Sequence, residues 1–294
     1  MSKFTINEEL LAQIESLQSL LKNNVAGMFG GNRQSKSYGS SCEFADYRDY
    51  MPGDDINKID WNAYARFDKL YQKLYYDERQ MHTRIYIDAS RSMIHGNPEK
   101  AEMALKIAAA IAYLSVCEMD KVSIYAIHGS QVEEVISGMV GKESYLSTIG
   151  KLNNIEFRGD MHISDAILPS NVGRGDGYSV VISDYLTEEN YESAIDHLVS
   201  KKRDVMCIQV LSADELNPQV RGKMRLFDSE DSVKMFKKKI DKDVIRAYKE
   251  ALKFVIDRIK KYCEARGASY LLAPANVSIF EVFFGKMVDL GVLK

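Results

Sequence analysis

The feature that most constrains this chain is an alternation of strand-like and helix-like segments from residue 82 to residue 211. "TRIYID" (83–88) has the β-branched and aromatic composition of a strand. Pro98-Glu99 then opens a helix with Met103, Ala104, Ile107, Ile111 and Leu114 on one face. "KVSIYAIH" (121–128) reads as a strand, and Gly129-Ser130 turns it into "QVEEVIS" (131–137), an antiparallel edge strand. Helical segments are expected around 141–152 and 162–170. "YSVVISD" (178–184) is a near-continuous apolar run, as suits a strand covered on both faces. A helix over 187–200 leads to the strand "DVMCIQVL" (204–211). Such alternation predicts an α/β fold with a doubly wound, mostly parallel sheet of Rossmann type.

The flanks divide the rest. Leu10, Leu11, Ile14, Leu17 and Leu21 recur at helical spacing, so 1–26 is expected to be an N-terminal helix. Residues 27–81 form a separate segment, 82–220 the sheet domain, and 241–294 a helix, strand and helix that complete the sheet. "MRLFDSEDSVKMF" (224–236) looks like a hairpin turning near 229–231, and residues 221–240 are expected to join the 43–78 strands in a small accessory β-subdomain.

Composition excludes several classes. A net charge of −3 gives no overall pull toward nucleic acid or anionic lipid. The "KKK" run at 237–239 lacks interleaved aromatics and reads as a solvated face. No stretch is apolar for the ~18 residues a membrane span needs, and the N-terminus has no signal-peptide layout. Cys42, Cys117, Cys207 and Cys263 have no paired spacing, so they are expected to be reduced, structural thiols in a cytoplasmic protein. "GMVGKES" (138–144) has the wrong spacing for a phosphate loop, and 27–41 is a Gly/Ser-rich linker.

"RIYIDASRSM" (84–93) carries the chemistry. Asp88, Ser90 and Ser92 leave a strand end within five residues of each other. In an open α/β sheet, ligands sit beyond the carboxyl ends of the strands, where the winding reverses. "YSVVISD" belongs beside the first strand, which brings Asp184 to the same edge. Carboxylates with hydroxyls suit a hard cation, Mg²⁺ or Mn²⁺. The plainer alternative is that Ser90 or Ser92 caps the following helix. Both carboxylates are expected at a loop edge, so that replacing either by Ala leaves the fold intact and its metal-free stability unchanged or slightly higher.

"DASRS" resembles the D-x-S-x-S of the metal-ion-dependent adhesion site in von Willebrand factor A-like domains, and "VVISDYL" resembles their strand with the later Asp. Upstream, "EFADYRDYMPGDDINKIDWNAYARFDKLYQKLYYDE" (43–78) resembles the signature of a bacterial family, the domain-of-unknown-function-fifty-eight proteins, which place it just ahead of such a domain. That resemblance implies association with MoxR-type AAA+ ATPases and no established catalytic activity. One position departs from the adhesion-site pattern. Met161 in "RGDMHISDAI" falls where a Thr ligand is usual, and Asp160 or Ser164 would have to substitute.

Within 43–78, "GDD" after Pro52 reads as a tight turn and Trp61, the only tryptophan, as a core anchor. Arg48, Lys58 and Arg66 interleave with Asp54, Asp55 and Asp60, a pattern for a polar network to the main domain or, alternatively, for a surface that meets a partner. Of the histidines, only His95 and His162 fall on loops that could approach the crevice. Two functional readings follow. One is a non-catalytic protein–protein interaction module in which a partner carboxylate completes the sphere of a cation on Asp88, Ser90, Ser92 and Asp184. The other is a metal-dependent phosphohydrolase in the same crevice, although Ser90 stands where an aspartyl-nucleophile phosphatase needs its acid. A third outcome keeps the fold and leaves the cation site unused.

Overall fold

The computed structural model describes residues 6–24, 44–75, 80–94, 99–170, 177–187, 190–219, 222–227 and 235–283. The chain forms two compact units, residues 30–80 and the remainder.

The larger unit opens with α1 (Glu8–Asn24), where the expected apolar positions Leu10, Ile14 and Leu17 are buried. Residues 30–80 contribute β1 (Phe44–Asp49), α2 (Trp61–Phe67) and β2 (Tyr71–Tyr75). The larger unit resumes at β3 (His82–Asp88), α3 (Glu99–Cys117), β4 (Lys121–His128) and β5 (Gln131–Met139). Next come α4 (Gly141–Thr148), the short α5 (Ile163–Ile167), β6 (Tyr178–Ser183), α6 (Glu192–Ser200) and β7 (Asp204–Leu211). It ends with α7 (Ala213–Leu216), the hairpin β8 (Gly222–Phe227) and β9 (Met235–Ile240), α8 (Lys242–Ala265) and β10 (Ser269–Pro274).

Six strands form the central sheet in the order β10-β7-β6-β3-β4-β5. All pairings are parallel except β4 with β5. The chain winds outward from β3 through β4 to β5, then returns to lay β6 on the other side of β3. This is the doubly wound α/β sheet read from the alternation, with its switch point between β3 and β6. Successive strand residues feed opposite layers: Ile85 and Ile87 enter the core with α1 and α3, while Tyr86 enters the one with α6 and α8. Burial on both faces is why these strands read as continuous apolar runs. The layers are tightly filled, and Ile107→Ala, at a fully buried site, is the kind of change that costs ~2–5 kcal/mol.

The hairpins correct one expectation. Among the described residues β8 pairs with β9 and β1 with β2, as two separate antiparallel sheets and not as one. Pairing strands about 20 residues apart or fewer costs less chain entropy than joining strands about 150 residues apart. The turn between β8 and β9, the 27–41 linker, His95 and Cys42 lie outside the described residues.

In the smaller unit, "GDD" is the tight turn expected: Asp54 N donates to Met51 O at 3.0 Å, with Gly53 at φ 108°. Asp60 caps α2 through Asn62 N and Ala63 N and accepts from Tyr47 Oη at 2.8 Å. Arg48 pairs with Asp54 at 2.7 Å and Lys73 with Asp60 at 3.2 Å. These pairs all lie inside the unit. Trp61, expected as a core anchor, is instead 58% exposed.

Candidate functional site

Parallel pairing of β3 with β6 sets Ile87 opposite Ile182. Asp88 and Ser183 therefore end the two strands at one level, and Asp184 follows at once. Contrary to the loop-edge expectation, the group is buried: Asp88, Ser90 and Ser183 are fully enclosed and Asp184 is 1% exposed.

Each carboxylate oxygen has a protein donor. Asp88 accepts from Ser90 N at 2.9 Å on Oδ1 and from Ser183 Oγ at 2.7 Å on Oδ2. Asp184 accepts from Leu186 N at 3.0 Å on Oδ1 and from Lys100 Nζ at 2.8 Å on Oδ2. Tyr185, between them, adopts φ 52°, a conformation bulky residues rarely hold. That turn lets Tyr185 N donate to Ser183 Oγ at 3.0 Å while Leu186 N folds back onto Asp184. The ring is fixed below by its hydroxyl on Val181 O at 3.1 Å.

Lys100 belongs to the first turn of α3 and is 3% exposed. Its second acceptor is Glu215 Oε1 at 2.6 Å. Glu215 is aimed by a capping box: Ser212 Oγ accepts from Glu215 N at 3.2 Å, and Glu215 Oε2 accepts from Ser212 N at 2.7 Å. One ammonium thus joins the starts of α3 and α7 to the end of β6. Burial disfavours its charge, yet Asp184 and then Glu215 outweigh that and hold the Lys100 pKa above its ordinary value. Below, Gln209 Nε2 donates to Asp184 O at 2.7 Å, and Gln209 Oε1 accepts from Tyr270 Oη at 2.6 Å.

Among the described residues no cation pairs with Asp88. Burial first, and then the Asp184 charge, push its pKa up to about 6, against the opposing hydrogen bonds from Ser90 and Ser183.

The remaining sequence-expected residues divide. Ser90 and Ser92 are present, but their hydroxyls bond each other at 3.0 Å. Ser90 stands at the N-cap of a short 3₁₀ turn without a side-chain capping bond, so the plain capping reading does not describe it. Met161 is buried at the crevice, its Sδ 2.9 Å from Ser183 Oγ. A hydroxyl has one proton, and the shorter, charge-assisted contact to Asp88 claims it. Asp160 is exposed, and its backbone carbonyl accepts from Gly129 N. Ser164 turns away, accepting from Ala194 N at 3.1 Å. Among the described residues no group of three or more His, Cys, Asp or Glu could hold a metal ion. The donor set passes the chemistry of a hard cation, and an ammonium, that of Lys100, already sits on Asp184 Oδ2.

Sequence reasoning missed Ser183, Gln209, Lys100 and Glu215. Polar residues inside apolar strand runs were a readable signal for the first two, and the S-x-x-E spacing of 212–215 for the last. Nothing local marks Lys100.

Residues 46–254 match the family described as "Protein of unknown function DUF58". The chain belongs to that family. Relatives of this DUF58 chain include the uncharacterized proteins Rv1480 of Mycobacterium tuberculosis (strain ATCC 25618 / H37Rv) and Mb1516 of Mycobacterium bovis. Each is 26% identical over 232 residues, 76% of this chain and 72% of the relative. Among solved structures, the DUF58 chain is similar to an aerotolerance-related membrane protein from Bacteroides fragilis (15% identity, TM-score 0.39, 72% of this chain and 96% of that one). It is also similar to the SpRpn10 VWA domain (11% identity, TM-score 0.38, 72% and 94%). No helix among the described residues is long and apolar enough to cross a membrane.

Proposed function

We propose that this chain is a non-catalytic protein-interaction module that works with a MoxR-type AAA+ ATPase, and that it docks through the signature unit. One observation carries the reading. In the short stretch 44–75, Met51, Ile56, Trp61, Tyr64 and Phe67 are all more than two-fifths exposed, Phe67 as much as 65%. Trp61 and Tyr64 meet edge to face at 6.2 Å, so their exposure is shared. Exposed apolar side chains set close together mark interaction surfaces, and aromatic residues are their usual anchors. The class of partner comes from the family resemblance.

The crevice supports the non-catalytic half of this reading. Asp88 is pinned by two donors, and the neighbour two residues on is Ser90, which has no useful acidity. The raised Asp88 pKa favours the second reading, a metal-dependent phosphohydrolase, because displaced pKa values gather at catalytic sites. Release of phosphate from a phosphomonoester with added Mg²⁺, abolished by Asp88→Asn, would establish that alternative.

The test of the first reading is capture of a purified MoxR-type ATPase from the same cell on the immobilised chain. Native protein should retain it, and a Trp61→Ser/Phe67→Ser variant should lose it. Absence of capture by native protein, with nucleotide present or absent, sinks the proposal.

A further inference from the structure

We infer that the Lys100 ammonium is the crevice's own cation, a tethered charge that fills the role for which Asp88, Ser90, Ser92 and Asp184 lead one to expect a divalent metal. The inference is independent of the docking reading, since it concerns what balances Asp184 inside the crevice and not what binds outside.

Three observations converge. Lys100 is 3% exposed and lies 2.8 Å from Asp184 Oδ2 and 2.6 Å from Glu215 Oε1, so its charge is buried with its counter-charges. A lysine held this way has an obligatory partner, because an unpaired buried ammonium is costly. Second, all four oxygens of Asp88 and Asp184 already accept from the protein, through Ser90 N, Ser183 Oγ, Leu186 N and Lys100 Nζ. The Lys100 ammonium already sits on Asp184 Oδ2, and its full positive charge repels a second cation brought to that oxygen. Third, Met161 presents a thioether to Ser183 where a hard cation favours an oxygen.

The geometry also explains why a lysine suffices. Its long stem crosses from the start of α3 to β6 and α7, two segments that no short polar side chain of α3 could reach together. Glu215 is pre-aimed by its capping box with Ser212, so the ammonium meets a formed acceptor. A covalently tethered cation keeps this edge assembled whatever the free metal concentration. A divalent ion would instead make the assembly depend on supply.

The test uses the full chain after EDTA treatment and dialysis, titrated with MgCl₂ and MnCl₂ by calorimetry and followed by thermal melting. Native protein should give no saturable heat and no rise in melting temperature in the range of about 1 mM, the weak end of protein cation affinities. Lys100→Gln should lower the melting temperature by about 10 °C, as expected when one partner of a buried pair is removed. Lys100→Gln/Asp184→Asn should recover at least half of that loss, because the buried Asp184 charge leaves with its cation and only Glu215, 24% exposed, is left without the ammonium. If the single variant fails to fold while the double variant folds, the inference is equally supported. Native binding of either metal tighter than about 1 mM, weakened at least tenfold by Asp184→Asn, would overturn it. So would a Lys100→Gln variant that melts with native protein, or a double variant no better than the single.

Discussion

The carboxyl-edge crevice and the 44–75 unit invert the usual arrangement in opposite ways. In the crevice, charge lies inside: Asp88, Asp184 and Lys100 are buried, and the aspartate oxygens and the ammonium all have partners within the chain. In the 44–75 unit, apolar surface lies outside, with Trp61 58% and Phe67 65% exposed. A buried, hydrogen-bonded network is costly to disturb, so its weight falls on stability and on fixing one arrangement of loops. Exposed apolar side chains contribute little to a monomer's stability and hold their free energy in reserve for a partner. The difference teaches that the residues most suggestive of chemistry need not be the ones that meet the outside world.

The contrast breaks or sharpens through four substitutions. Asp184→Ala should have the largest effect, a loss of about 3–5 kcal/mol of unfolding free energy in urea, since it takes from a buried ammonium one of its two carboxylates. This reverses the sequence-only expectation of unchanged stability, because the aspartate is 1% exposed and not at an open loop edge. Met161→Thr should follow, costing roughly 2–3 kcal/mol by the same measurement. It removes packed volume at a 2% exposed position, and the new hydroxyl recovers part of that by bonding Ser183.

Asp88→Asn should act in the other direction. Its folded pKa, about 6, lies above the 3.8 of an ordinary aspartate, so the folded state holds the proton more tightly than the unfolded state. Native stability therefore falls as pH rises through the window from about 4 to 6. The asparagine carries no charge and should gain ~2 kcal/mol at pH 7.5, with the gain vanishing below pH ~4. Melting curves across that window test the sign directly. Equal melting of variant and native protein at pH 7.5 would mean that the Asp88 charge is compensated after all.

Trp61→Ser should have the smallest effect on stability, within about 0.5 kcal/mol. Its effect on partner affinity should be tenfold or more, read by titration of the captured ATPase. If its stability cost matched that of Asp184→Ala, the division between a stabilising crevice and a binding unit would collapse.

The degree to which the site was readable follows residue by residue. The switch-point rule predicted that Asp88 and Asp184 end neighbouring strands, because an outward-winding chain must return to the far side of its first strand. Whether Ser90 and Ser92 serve a ligand or each other was not readable, since either arrangement uses the same hydroxyls at the same spacing. Gln209 stood out as an amide inside an apolar strand, but its partners Asp184 and Tyr270 lie on β6's end and β10. The separate β1/β2 and β8/β9 sheets were misjudged as one, because pattern marks a strand and not its neighbour.

By itself the sequence determined the alternation, and with it the doubly wound parallel sheet, the reversal between β3 and β6 and the two-sided burial of the strands. These follow from local periodicity and from chain-connection rules that act on any strand–helix repeat. Only the tertiary structure decided what the crevice holds. Lys100 is 84 residues from Asp184 and 115 from Glu215, in a helix whose composition gives it no distinction. An ion pair of that span exists because three loops converge at one sheet edge, and burial there makes an unpartnered charge too costly to leave. The exposure of Trp61 was decided in the same way, since a residue's hydrophobicity states what it prefers and only the volume of chain around it states whether that preference is met.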